Sequence, residues 1–204
     1  MARILFTSTL GASTWSGSEV LWFQAAFALR RWVGEPASPD QIDGMTARLE
    51  RGLEEGAIGI GINAGYAPGG GYKELHAVHS LASKHSVPTF THVSGDYPDD
   101  PDSAAEHIGA VISLAASTGS QSHICHVNSS SLRDIETTRS MILEAQSQGL
   151  PISTESYTYG ASSTTIGAAL FSETARVRKN IDTRDIELDG DPLQRLDADF
   201  LLLG

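Results

Sequence analysis

The feature that most restricts this chain is a structural period of about thirty residues. Short apolar runs that read as strands begin near positions 57, 88, 121 and 151, at intervals of about 31, 33 and 30 residues. They are AIGIGI (57–62), VPTFTH (87–92), SHICHV (122–127) and LPISTES (150–156). A helix is predicted between each pair. Ser38-Pro39-Asp40-Gln41 reads as a capping box with proline at the first helical position, and Ile42, Met45, Leu49 and Leu53 follow at helical spacing. Gly56 sits where a helix end wants a left-handed residue. Residues 72–85 place Leu75, Val78 and Ala82 on one face. Ser103 and Glu106 read as a second capping box before Ala105, Ile108, Ile112 and Ala115. Ser131 is expected to cap a helix that buries Leu132, Ile135, Ile142 and Ala145 and ends at Gly149.

Strands and helices alternating at this interval imply a parallel sheet joined by right-handed crossovers. The strands are apolar on both faces, as in a sheet covered by helices. An open doubly wound sheet and part of a (β/α)8 barrel both fit. A whole barrel needs roughly 250 residues, more than the 204 present. Residues 3–8 suggest another strand and 18–32 a helix holding Trp22 and Trp32, while 173–204 read as loop and helix. The expectation is one domain over 1–204, with its recognisable core at 36–190.

Composition narrows the partners. The net charge of −11 argues against nucleic acid and anionic membranes, which need basic patches. With one cysteine, Cys125, no intrachain disulfide forms, and a reducing compartment is expected. The N-terminus lacks a signal-peptide pattern, and no run reaches the ~18 apolar residues of a membrane helix. A cytoplasmic location is therefore expected.

In parallel α/β sheets, ligands bind beyond the carboxyl ends of the strands. His92 closes the second predicted strand and His126 the third. A lone histidine at a strand end is more often a hydrogen-bonded structural residue, but two on neighbouring strands place two imidazoles side by side, and imidazole is a common zinc ligand. If alternation runs through 122–127, Ile124 and His126 point one way and His123 and Cys125 the other. Tyr157, Tyr159, Ser162 and Ser163 follow the fourth strand. The glycine-rich loop at 63–72 lacks a phosphate-binding pattern. His76, His79, His85 and His107 lie on helices and read as surface or packing residues. The acidic run from Asp96 to Asp102 reads as a solvated loop or the lining of an entrance.

Four segments occur in order at this spacing: EEGAIGIGINAGYAPG (54–69), TFTHV (89–93), HICHVNSSS (123–131) and ESYTYGASST (155–164). Together they resemble the N-acyl-D-amino-acid deacylases (D-aminoacylases) of the amidohydrolase superfamily, and the HVNS variant is most similar to the D-glutamate deacylase branch. The resemblance implies a (β/α)8 barrel and a zinc-dependent hydrolase acting on the linear amide of an N-acyl-D-amino acid. It implies that His92 and His126, closing the fifth and sixth barrel strands, bind zinc. It further implies that Tyr157 and Ser163 contact the substrate carboxylate and that Tyr66 lies beside the substrate pocket.

The chain also departs from that pattern. Ser94 stands where many relatives have arginine, and Asn128 where many have lysine. Neither the first-strand His-x-His pair nor the bridging cysteine occurs upstream of residue 54. Asp182, Asp185 and Asp189 come too early for the general-base aspartate, so no catalytic residue is assigned. The expectation is a fragment spanning about strands three to seven, doubtful as a catalyst alone and open to self-association through exposed sheet edges. A non-catalytic α/β binding domain and a dihydroorotase- or hydantoinase-like enzyme are the alternatives.

Overall fold

The computed structural model describes residues 3–7, 13–14, 35–67, 69–93, 100–158, 173, 176–177, 187–188 and 191–192. They fall into two units, Met1–Thr158 and Tyr159–Gly204. In the first, β1 (Arg3–Thr7) and β2 (Ser13–Thr14) precede α1 (Pro39–Glu54), β3 (Ala57–Asn63), a 3-10 turn (Ala64–Tyr66) and α2 (Tyr72–Lys84). Next come β4 (Thr89–His92), α3 (Ala104–Thr118), β5 (Ser122–Ile124) and the short α4 (Val127–Ser131). A 3-10 turn (Leu132–Asp134), α5 (Ile135–Ser147) and β6 (Ile152–Thr154) complete the unit. In the second unit β7 (Glu187–Leu188) pairs antiparallel with β8 (Asp191–Pro192). The loop-and-helix expectation for 173–204 missed this strand pair. The helix expected at 18–32 lies outside the described residues.

The sheet order β2-β1-β3-β4-β5-β6 decides between the two architectures. β1, β3, β4, β5 and β6 are parallel, and β2 joins antiparallel at the edge. From β3 to β6 each strand lies beside its successor, and the order never reverses. A doubly wound sheet reverses at a switch point, sending helices to both faces. Here crossovers of one hand leave the helices on one face, as in a barrel wall.

Burial shows the same arrangement. Ile60 and Ile62 of β3 pack with Leu49 of α1 and Val78 of α2, while Ile124 and Ile152 pack with Ile108 of α3 and Ile142 of α5. Fully burying such a side chain contributes about 2 kcal/mol. The intervening strand residues point away from the helices. They include Gly61, Phe90, His123 and Ser153, which the register aligns across four strands. Gly59 also faces that way, because a Cβ there would lie 2.6 Å from Phe90 Cε2 and 2.8 Å from Pro88 O.

Local signals placed the helices well, with three exceptions. The Ser38–Gln41 box is complete: Gln41 N donates to Ser38 Oγ at 3.3 Å, and Ser38 N donates to Gln41 Oε1 at 2.8 Å. At α3 only half a box forms, since Glu106 N donates to Ser103 Oγ but Glu106 Oε2 accepts from Asp102 N. Ser131 caps nothing with its side chain; its hydroxyl accepts from Thr138 Oγ1 at 2.8 Å. Because the 3-10 turn delays α5 until Ile135, Leu132 is 57% exposed rather than buried. No helix among the described residues is long and apolar enough to cross a membrane.

Candidate metal centre

Four rings from four successive strand ends form a stack. Tyr66, in the turn after β3, stacks on His92 at the end of β4, with centroids 4.7 Å apart and planes at 24°. His92 meets His126 edge to face at 4.5 Å, and His126 stacks on Tyr157, beyond β6, at 5.2 Å and 25°. All four residues are candidates on sequence grounds, and the fold brings them together. Ser163, Ser94, Asp182, Asp185 and Asp189 lie outside the described residues.

His126 reaches the stack by a route that alternation did not foresee. β5 ends at Ile124, two residues before it. The His126 backbone is left-handed, at φ 36 and ψ 56, and forms the N-cap of α4. A non-glycine residue held there costs of order 1–3 kcal/mol and persists only where its surroundings enforce it. Glu155 supplies part of that enforcement: its Oε1 accepts from His126 N at 2.6 Å, and its carbonyl accepts from Val127 N at 2.9 Å. The expected pointing of His126 with Ile124 therefore fails, because the strand has already ended.

The two imidazoles are in direct contact, with His92 Nδ1 2.6 Å from His126 Nε2. On the far side of the His126 ring, Nδ1 lies 2.9 Å from Ser129 Oγ, which donates to the His126 carbonyl at 3.1 Å. That hydroxyl accordingly accepts from Nδ1–H, leaving the Nε2 lone pair to accept from His92. A second hydroxyl, Ser130 Oγ, lies 3.4 Å from the same Nδ1.

This donor set fits two ligands of a metal ion. A metal-ligating histidine commonly donates its other ring N–H to an oxygen, as His126 does to Ser129. Zinc–nitrogen bonds of about 2.0–2.1 Å in tetrahedral geometry put two ligand nitrogens about 3.3 Å apart. The pair would have to part by less than ~1 Å, with an ion replacing the shared proton. A single group of three ligating side chains exists among the described residues, and it is a different one: His123, Cys125 and Glu155. Burial, and then the Glu155 charge, push the Cys125 thiol up to about 11. Burial first, then Glu155, Tyr66 and Cys125, also raise the Tyr157 phenol.

Three contributors were not anticipated. Gly65 lets the turn approach His92, since a Cβ there would lie 2.8 Å from Cδ2 and 3.0 Å from Nε2 of that ring. Asn128 holds the Tyr157 backbone through two hydrogen bonds. Glu155 holds the His126 turn. The glycine in the 63–72 loop and the Asn-Ser pair after His126 were visible signals, but neither reveals its partner.

No protein-family model matches the chain, and none of the curated proteins is significantly similar to it in sequence. Solved structures do resemble it. A D-aminoacylase described as defining a novel subset of amidohydrolases aligns at TM-score 0.54 and 24% identity, over 66% of this chain and 28% of its own. The N-acyl-D-glutamate deacylase of Bordetella bronchiseptica, solved with zinc and a phosphonate inhibitor, aligns at TM-score 0.52 and 20% identity, over 62% and 27%. A D-aminoacylase structure concerned with a binuclear metal centre gives TM-score 0.52 and 22% identity over the same shares. The chain thus spans less than a third of the length of these neighbours, and over that span it shares the β/α barrel fold of the D-aminoacylase-type amidohydrolases.

Proposed function

We propose that this chain carries the fifth- and sixth-strand portion of the metal site of a hydrolase that cleaves the amide of N-acyl-D-amino acids. The observation that carries the reading is the 2.6 Å contact between His92 and His126 on neighbouring strand ends of a barrel wall. The similarity in fold to deacylases, one of them solved with zinc, supports it.

In this reading His92 and His126 would hold the zinc ion, with Ser129 fixing the His126 tautomer. Tyr66 and Tyr157 wall the pair on either side. Tyr157 and Ser163 receive the carboxylate of the D-amino acid. When bound, zinc supplies a pKa near 7 for the attacking water and polarises the amide carbonyl. Among the described residues, no aspartate stands with the histidine pair as a base and no third His, Cys, Asp or Glu ligand joins it. In this reading the chain alone is a weak catalyst or none, and it self-associates through its sheet edges.

Two measurements test this. Bound zinc should fall in His92→Ala and in His126→Ala, and unchanged metal content in both would refute the metal reading. Deacylation of N-acetyl-D-glutamate by the purified chain with added zinc should be far below that of a longer relative. Turnover equal to such a relative would refute the incompleteness of the site.

A further inference from the structure

Beside the ring stack lies a group of side chains that the proposed hydrolysis does not use. β5 and β6 pair with His123 opposite Ser153 and Ile124 opposite Thr154, which brings Cys125 next to Glu155. The ladder continues past this point, because Val127 N donates to Glu155 O at 2.9 Å. His123 belongs to β5, and Cys125 follows just past its end, where Cys125 N still donates to Thr91 O at 2.9 Å. A ring nitrogen of His123, the Cys125 sulfur and a carboxylate oxygen of Glu155 all lie within 4.8 Å of one another.

Packing alone does not account for this combination. None of the three belongs to the apolar clusters packed between sheet and helices. His123 Nδ1 shares a 2.9 Å hydrogen bond with Ser153 Oγ, and its ring leans on Phe90 at 5.5 Å. Glu155 Oε1 accepts from His126 N. Each bond uses one atom of a group that has two, since the imidazole has a second nitrogen and the carboxylate a second oxygen. The bonds also orient both groups, as supporting contacts orient metal ligands.

We propose that His123, Cys125 and Glu155 form a second metal site, separate from the His92–His126 pair, that takes a borderline-soft divalent cation such as zinc. One sulfur, one nitrogen and one oxygen donor suit such an ion and leave a fourth tetrahedral position for water or an added ligand. Bonds of about 2.0–2.3 Å place tetrahedral ligand atoms about 3.3–3.8 Å apart. The present spacing, within 4.8 Å, would have to close by about 1 Å at most to reach that range. On binding, the Cys125 S–H bond breaks, the sulfur–metal bond forms, and the proton passes to solvent.

Cobalt(II) added to the metal-stripped full chain tests the site, because thiolate ligation gives a charge-transfer absorption in the near ultraviolet. Cys125 is the one cysteine in the sequence, so the band has a single source. The expected result is a band that saturates at one cobalt per chain. It should vanish in Cys125→Ser and need at least about tenfold more cobalt in His123→Ala and Glu155→Gln. Glu155→Gln keeps an acceptor for His126 N, so it reports on ligation with the fold intact. The band should persist in the His92→Ala/His126→Ala double variant, with the first histidine pair gone. Three results would overturn the proposal: no band at stoichiometric cobalt, a band indifferent to Glu155→Gln and His123→Ala, or a band lost with His92 and His126. The last would assign Cys125 to the histidine pair's ion instead.

Discussion

The side-chain amide of Asn128 closes a two-bond ring on the backbone of Tyr157. Its Oδ1 accepts from Tyr157 N at 2.9 Å, and its Nδ2 donates to Tyr157 O at 3.3 Å. Asn128 follows His126 by two residues, so one short segment carries an imidazole and fixes the ring that stacks on it. Position 128 therefore acts through geometry, where a lysine would bring charge.

Asn128→Ala should cost about 1 kcal/mol in urea unfolding, the net value of exposed hydrogen bonds of this kind. It should also release the Tyr157 ring, shifting the His126 ring proton resonances. Asn128→Asp keeps the acceptor and loses the donor, so its effect should be intermediate. Unchanged His126 resonances in Asn128→Ala would show that the stack holds without the clamp.

Gly65→Ala should disturb His92 directly. The added Cβ meets the His92 ring at 2.8 Å and the Val93 carbonyl at 3.0 Å, and the carbonyl cannot rotate away. Overpacking of this kind costs about 1–3 kcal/mol. The expected readout is weaker zinc binding than in the parent chain, together with a lower melting temperature. Parent-like zinc affinity would mean the turn relaxes without moving the ring.

His79 should make stability fall in acid. It is 1% exposed, its Nδ1 lies 2.8 Å from Ser120 Oγ, and its Nε2 has no partner. Burial first, and His76 second, lower its pKa from the usual 6.5 to about 4. Folding favours the neutral ring, so its contribution is complete above pH 6.5 and is lost as the pH falls toward 4. The largest loss is about 3 kcal/mol. Burial raises the Glu74 carboxyl, which acts in the opposite direction. Denaturation curves of the parent and of His79→Gln, compared between pH 7 and 4, isolate the histidine. Parallel pH profiles would remove it as the cause.

Leu49 and Leu132 give a contrast in packing. Leu49 is fully buried between α1, α2 and β3, whereas Leu132 is 57% exposed. Leu49→Ala should cost about 2–5 kcal/mol, and Leu132→Ala about 0.5 kcal/mol or less. Equal losses in chemical denaturation would contradict the placement of α5.

The repeating units and the two histidines were legible because their signals are local. A capping serine, a helical stripe and a six-residue apolar run each lie within one element, and Ser38–Gln41, α2 and β3 appear where those signals put them. The turn at His126 was not legible. It depends on Glu155, 29 residues away, whose carboxylate meets the His126 amide only once β5 and β6 have paired. The same holds for Leu132, whose exposure follows from a 3-10 turn that no spacing pattern announces. Asn128 was noticed as a departure from a family pattern, but its partner became visible only in three dimensions.

The alternation of the strands has a consequence for how this protein can change over generations. Residues that face the helices, such as Ile60 and Ile124, carry stability. Their immediate neighbours Gly61 and His123 face the other way and carry little of it. Mutation can thus explore new chemistry on one side while selection for folding acts on the other. One sequence step separates a scaffold role from a reactive one, so chemistry on one side of such a wall can change with little cost to folding.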